Sequence, residues 1–415
     1  MQKLRSALYA FLLAISCTFV LDRSASAVTE TTLHAFTDGS DGGAPDAGLI
    51  SDSNGNLYGT AFEGGAYGYG SVYKLTHSAS GWTETVLYNF HGGTGDGASP
   101  DYDLAFDATG NLYGTTSEGG IDWNNPAVRG WGTVFELTPS GSEWTERVIH
   151  FFVSGFRPSS GLILNKAGDI FGETGGTGMA AGGSIYEMKN ESTGWKFGTL
   201  LTFDGTDEGN YPNGGLILDG AGNLYGTTNS EGALCCGTVF EVKHGANDTW
   251  TRSLLYSFSG GTDGGFPQAP LVSNGPGKLY GTTMTGGDLS CGSGGCGVVF
   301  ELSLSGGIWT ETVLHSFTDS PDGNNSQAGM TFDKAGNLFG TTLVGGADGY
   351  GSVFELMPQS GGEWEETILY SFTNGNDGAY PSNALLRRLG NIYSTANGGG
   401  QFGWGVVFEL PGAGQ

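Results

Sequence analysis

The sequence predicts an all-β, seven-bladed β-propeller with four antiparallel strands per blade, and three observations carry that prediction. Two short motifs each occur seven times, they alternate along the chain with a period of 54 to 59 residues, and the two ends of the repeat array are incomplete in complementary ways. A period in this range, built from short apolar runs and glycine-rich turns, is the pattern of propeller blades.

The first motif is GNLYGT at Gly55, Gly110 and Gly222, with the variants GDIFGE at Gly168, GKLYGT at Gly277, GNLFGT at Gly336 and GNIYST at Gly390. The second follows each copy: SVYKL ending at Leu75, TVFEL at Leu137, SIYEM at Met188, TVFEV at Val242, VVFEL at Leu302, SVFEL at Leu356 and VVFEL at Leu410. A full unit, read over 215–258, runs GLILD, a turn, NLYGTT, a glycine-rich loop, GTVFEV and WTRSLLYSF. These are four strands, lettered A to D from the propeller axis outward. The A-to-B turn, as in Asp107-Ala108-Thr109-Gly110, puts glycine where a short hairpin needs a positive φ. The glycine of YGTT is expected to let neighbouring sheets approach closely.

The ring is expected to close through its ends. Residues 28–36, VTETTLHAF, match the D strands WTETVLYNF (82–90) and WTETVLHSF (309–317), yet nothing resembling A, B or C precedes them; the last unit ends after strand C at Leu410. The segment 28–36 is therefore expected to be the outer strand of blade 7, which removes the exposed edges of an open array. An open solenoid or two smaller propellers would not explain the complementary ends. The domain is thus 28–415. Residues 1–27 read as a signal peptide, with Lys3 and Arg5, an apolar run from Ala7 to Leu21 and cleavage after Ala27 in Ala25-Ser26-Ala27. The expected location is secreted or periplasmic, with no membrane span in the mature chain.

A formal net charge of −26 argues against nucleic acid and anionic membrane surfaces, whose partners cluster Lys and Arg. Seventy-eight glycines beside 12% aromatics indicate short strands and tight turns rather than disorder. Beyond the leader lie Cys235, Cys236, Cys291 and Cys296, which an oxidising compartment would pair. A Cys291–Cys296 bond across CGSGGC and a cross-blade link between the Cys236 and Cys296 regions are both open, with a vicinal Cys235–Cys236 bond the minor outcome. At least one disulfide is expected.

The repeats GNLYGTT, GTVFEL and WTETVLYNF, with intervening DGxxP, resemble the bacterial GloVer (Gloeo/Verruco) tandem-repeat family across essentially all of 28–415. The resemblance implies export and a propeller-like repeat. It implies no activity and no catalytic residues. Family members often carry a C-terminal anchoring segment that does not follow here, so release rather than surface attachment is the expectation.

Two sets of candidate residues stand on the face where the D-to-A and B-to-C loops open. Asp41, Asp96, Asp207, Asp263, Asp322 and Asp377 occupy matching places in the D-to-A loops, and their carboxylates suit a hard cation such as calcium. The same Asp-Gly pairs also serve ordinary turns. The residue before the glycine of each strand C is Tyr69, Trp131, Gly182, Cys236, Cys296, Tyr350 and Trp404. Across the closure, Tyr350, Trp404, Tyr69 and Trp131 would form an aromatic crescent joined by Trp123 and Arg129, suited to stacking on sugar rings or to wedging between blades. No H-x-H, HExxH or G-x-S-x-G constellation accompanies them, and no catalytic residue is assigned. The expected protein is a non-catalytic, monomeric binder of an extracellular glycan or protein partner, needing no cofactor. The alternative is a glycoside hydrolase or lyase working with rim carboxylates.

Overall fold

The computed structural model describes residues 28–125, 129–153, 155–176, 182–205, 207–292 and 294–414; the expected leader lies outside them. Apart from one 3₁₀ turn (Ala246–Asp248), every regular element among the described residues is a strand. No helix among them is long and apolar enough to cross a membrane.

Seven antiparallel sheets, each with the order A-B-C-D, build a seven-bladed propeller. Blade 1 shows the common plan: A at Ile50–Ser51, B at Leu57–Ala61, C at Ser71–Ser78 and D at Gly81–Asn89. Strand A has two residues in blades 1 to 6 and three, Leu386–Arg388, in blade 7. The A-to-B turns have the predicted chemistry. In blade 2, Asp107 Oδ1 accepts from the Thr109 and Asn111 amides, and Gly110 sits at φ 91°. Blades 1, 4 and 6 repeat the same bonds through Asp52, Asp219 and Asp333.

The ring closes as its ends predict. Thr31–Ala35 pairs antiparallel with Val406–Leu410, aligning Thr31 with Glu409 and Ala35 with Val406. Seven apolar clusters hold the molecule, and each lies between two blades. The cluster at the closure joins Tyr393 and Val407 of blade 7 to Leu57, Tyr73 and Leu75 of blade 1, all of them buried. The seam is thus as dry as any other junction.

The role expected of the YGTT glycine needs correction. A Cβ on Gly59 would lie 2.5 Å from Tyr73 Oη, and one on Gly114 would lie 2.5 Å from Phe135 Cζ. Tyr73 and Phe135 are their cross-strand partners on C. The glycine therefore makes room for an aromatic ring within its own blade rather than for a neighbouring sheet.

A second glycine, the one that begins strand C, ties the blades together. Its carbonyl accepts the amide of the phenylalanine that ends strand D, as in Phe90 to Gly70 (3.1 Å) and Phe36 to Gly405 (3.0 Å). Gly70 stands at φ 87°, and a Cβ there would lie 2.5 Å from Cδ of Pro100 in the next blade; Gly405 faces Pro45 at the same distance. This contact accounts for the proline of DGxxP. At the junction of blades 5 and 6, Ser326 takes the proline's place and bonds Thr341 O instead.

Two outcomes are expected. Deleting residues 28–36 opens the edge of Val406–Leu410 and uncovers the closure cluster, so the variant should melt far below the parent and aggregate; an unchanged, monomeric melt would refute closure by this strand. Gly70→Ala combines a left-handed backbone cost of ~1–2 kcal/mol with overpacking of ~1–3 kcal/mol. Gly110→Ala meets nothing within 4 Å and carries only the backbone cost. Denaturant unfolding should rank G70A clearly below G110A.

Candidate functional site: an acidic axial cavity

Just after the proline at each junction, or after Ser326 in blade 6, the chain turns in toward the axis. There a cavity of about 410 Å³ is lined by Asp46, Asp101, Ser159, Asn213, Gln268, Gln327 and Ser382, the same position in seven successive blades. The repeat thus delivers one polar side chain per blade to a common centre. What breaks the symmetry is charge. Asp46 and Asp101 come from adjacent blades 1 and 2, and Asp103 enters from blade 2 beside Tyr102. Every other blade supplies an amide or a hydroxyl at this position.

Hydrogen bonds hold the acids in place. Ser382 Oγ donates to Asp46 Oδ1 across the closure at 3.1 Å, and the Gly48 amide donates to Asp103 Oδ1 at 2.6 Å. Burial pushes the Asp101 carboxyl up to about 7, helped by the charge of Asp46, and raises Asp46 and Asp103 as well. Glu173 stands behind this wall in blade 3, where other blades carry threonine in the YGTT motif. It is fully buried, its Oε2 accepts the Gly215 amide at 2.9 Å, and burial raises it to about 7.

Sequence reasoning missed this site. The repeat pattern singles out the recurrent rim aspartates, and Asp46, Asp101, Asp103 and Glu173 stand outside that pattern. The available signal was the column after each proline or, in blade 6, Ser326, where only two of seven blades place an acid, and the GET that replaces GTT at Glu173.

The rim aspartates lie outside this cavity, and all but Asp207 are bonded into their own turns. Asp96 accepts from Tyr88 Oη, the His91 amide and the Gly97 amide, and Asp377 accepts from Tyr370 Oη, Thr373 and Gly375. Asp263 is held by Tyr256 Oη and the Ser259 amide. Asp41 and Asp322 face His34 and His315 at 3.2 Å. Asp207 is exposed, and at its junction Arg252 pairs with Glu208 instead. A glutamate on the adjoining D strand opposes five of these aspartates, so the carboxyl groups meet in pairs between blades. Burial, then the Asp96 charge, lifts Glu146 to about 8; burial with Asp263 lifts Glu311 to about 7; burial lifts Glu30 to about 7, Asp377 adding to it.

The aromatic series is divided. Tyr69, Trp123 and Arg129 come together, the two rings edge to face at 5.2 Å with the guanidinium 5.8 Å and 5.5 Å from their centres. Trp131 is buried, donates to Asp122 and lies under Arg157. Tyr350 meets Tyr380 of the next loop, and Trp404 is exposed. What these positions share is the backbone: the carbonyls of Tyr69, Cys236, Cys296, Tyr350 and Trp404 accept amides of the following blade at 2.8–3.0 Å. A role carried by the main chain explains why such different side chains stand there. Exposed Tyr67 and Phe402, between glycines of the same loops, were not anticipated.

The cysteines pair as Cys291–Cys296 and, against the expectation, as vicinal Cys235–Cys236 rather than across blades. The Cys236 sulfur points toward Gly260 of its own blade's D-to-A loop, and Cys235 takes φ 108°. A cross-blade link would require Cys236 to turn away from that loop.

The buried carboxyls set a pH dependence. Glu30, Glu146, Glu311, Glu173 and Asp101 have folded values of about 7 to 8 against ordinary values of 4.5 and 3.8. The folded chain therefore holds more protons than the unfolded chain between those limits, and this stability is lost as pH rises through 7 to 8. His150, lowered to about 4 by burial, acts oppositely, its contribution fading as pH falls below 6.5. Glu84 and Glu366, also raised to about 7, join the carboxyls, and His34, lowered by burial, joins His150; the carboxyls outweigh the histidines, so the melting temperature should be higher at pH 5 than at pH 8. A rise from pH 5 to pH 8 would contradict the buried pairs.

The model of the Gloeobacter/Verrucomicrobia repeat matches residues 16–193, 123–293 and 289–415. No curated protein matches the chain. Among solved structures, a candidate 6-phosphogluconolactonase of Bacteroides uniformis aligns at TM-score 0.53 with 14% identity, covering 84% of this chain and 89% of that one. One of Bacteroides fragilis aligns at TM-score 0.53 with 14% identity, covering 85% and 88%. At that identity the likeness is one of fold. With matches across nearly its whole length, the chain belongs to the Gloeobacter/Verrucomicrobia repeat family.

Proposed function

We propose that the protein is an exported, monomeric propeller that binds a neutral, hydroxyl-rich ligand, a carbohydrate, in the axial cavity. The observation that carries this reading is the cavity lining. Carboxylates from blades 1 and 2 face amides and hydroxyls from the other five, so acceptors stand on one side and groups that both donate and accept on the other. Sugar hydroxyls need both. The volume falls in the ~300–1,000 Å³ range of small-molecule sites. An anionic ligand would add its charge to three carboxyl groups whose ionisation burial already opposes, and a neutral one would not. The Tyr69–Trp123 pair, on the face where the loops open, offers a ring surface for a longer chain of sugars.

One observation favours hydrolysis as a second reading. Asp101, protonated near neutral pH, stands close enough to Asp46 to feel its charge, the arrangement of a general acid beside a carboxylate. A glycan array and calorimetry with the purified protein separate the readings. Binding should fall at least tenfold in D103N and D101N with the melting temperature retained. Retention of no glycan, or equal retention by both variants, would refute the cavity site. Release of reducing ends that D101N abolishes while binding survives would establish the hydrolase.

A further inference from the structure

The glutamate–aspartate pairs between blades are of two kinds, and the difference lies in one residue of strand D. In blades 1, 4 and 6 that residue is a tyrosine, Tyr88, Tyr256 or Tyr370, whose hydroxyl donates to the aspartate at 2.9 to 3.1 Å. A phenol in this place fills the junction with a proton donor. In blades 5 and 7 it is a histidine, His315 or His34, and the donor becomes an imidazole that can also offer a lone pair.

His315, Asp322 and Glu366 bring an imidazole nitrogen and two carboxylate oxygens within 4.8 Å of one another. His315 Nε2 lies 3.3 Å and 3.2 Å from the two oxygens of Asp322. The groups come from strand D of blade 5, the loop that follows it, and strand D of blade 6, so the site spans a blade junction. Glu366 lies within hydrogen-bonding reach of Asp322, and two carboxylates hold such a contact only by sharing a proton or a cation.

We propose that His315, Asp322 and Glu366 form a zinc site between blades 5 and 6. The donor set, one imidazole with two carboxylates, suits a borderline divalent ion more than calcium, which prefers an all-oxygen shell. Zinc bonds of ~2.0–2.2 Å place tetrahedral ligands ~3.4 Å apart, so the His–Asp spacing already fits and a rotation of Glu366 closes the rest. A fourth position, open toward the rim where His315 and Asp322 retain some exposure, takes water. The ion would fasten two blades by their outer strands and neutralise a pair of acids held together there.

The repeat supplies its own control. His315→Tyr installs the residue that blades 1, 4 and 6 carry at this position, so the fold should tolerate it. Untagged protein, stripped with chelator, is titrated with zinc chloride by calorimetry and equilibrium dialysis, alongside H315Y and E366Q. The wild type should take up zinc saturably and gain melting temperature with it. H315Y should lose at least tenfold in affinity and all of the zinc-dependent gain, and E366Q should weaken binding similarly. Absence of saturable uptake by the wild type would overturn the site, as would uptake and thermal gain that survive in both variants.

Discussion

At each blade junction the glycine that begins strand C does two things at once. Its carbonyl receives the phenylalanine that ends strand D, closing the blade on itself, and its bare α-carbon leaves the space that the next blade's proline or, once, serine occupies. A side chain would break one of these contacts to keep the other. Because the same residue serves both the intra-blade and the inter-blade contact, blade shape and blade spacing are set together. The following residues are then carried inward at a fixed angle, which is why seven side chains of four kinds reach one axial cavity.

Charge is distributed over this frame in two tiers. The outer tier repeats: an aspartate in a turn meets a glutamate from the neighbouring D strand, and a tyrosine or histidine bridges to the aspartate. Burial keeps the glutamates protonated toward neutral pH, so a chain of net charge −26 packs its acids edge to edge without facing all of that charge in the fold. The inner tier does not repeat. Asp46, Asp101, Asp103 and Glu173 fall on three consecutive blades and polarise one side of an otherwise amide- and hydroxyl-lined cavity. A repeated carboxylate points to architecture; an unrepeated one, buried where the repeat tolerates any polar group, points to a ligand.

The seven-part periodicity, the four strands and the closure by 28–36 were all legible because each depends on local pattern: alternation, turn glycines and a missing strand at either end. The disulfides were half legible. The short glycine-rich stretch between Cys291 and Cys296 made that bond one of the open readings, whereas the choice between a vicinal and a cross-blade partner depends on which way Cys236 faces, and its sulfur lies against Gly260. The aromatic series was visible as a column, yet its shared role belongs to the backbone carbonyl, which no side-chain pattern reveals.

By itself the sequence determined the architecture, since repeats that each bury two faces must stack, and a ring of seven leaves neither end exposed. Only the tertiary structure decided which acids meet. Asp46 and Asp101 are 55 positions apart in the chain, as are Asp322 and Glu366 at 44, and their encounters depend on the angle between blades. That angle comes from glycine–proline contacts and seven apolar junctions summed around the ring, so the cavity and the rim pairs exist only once the circle is complete.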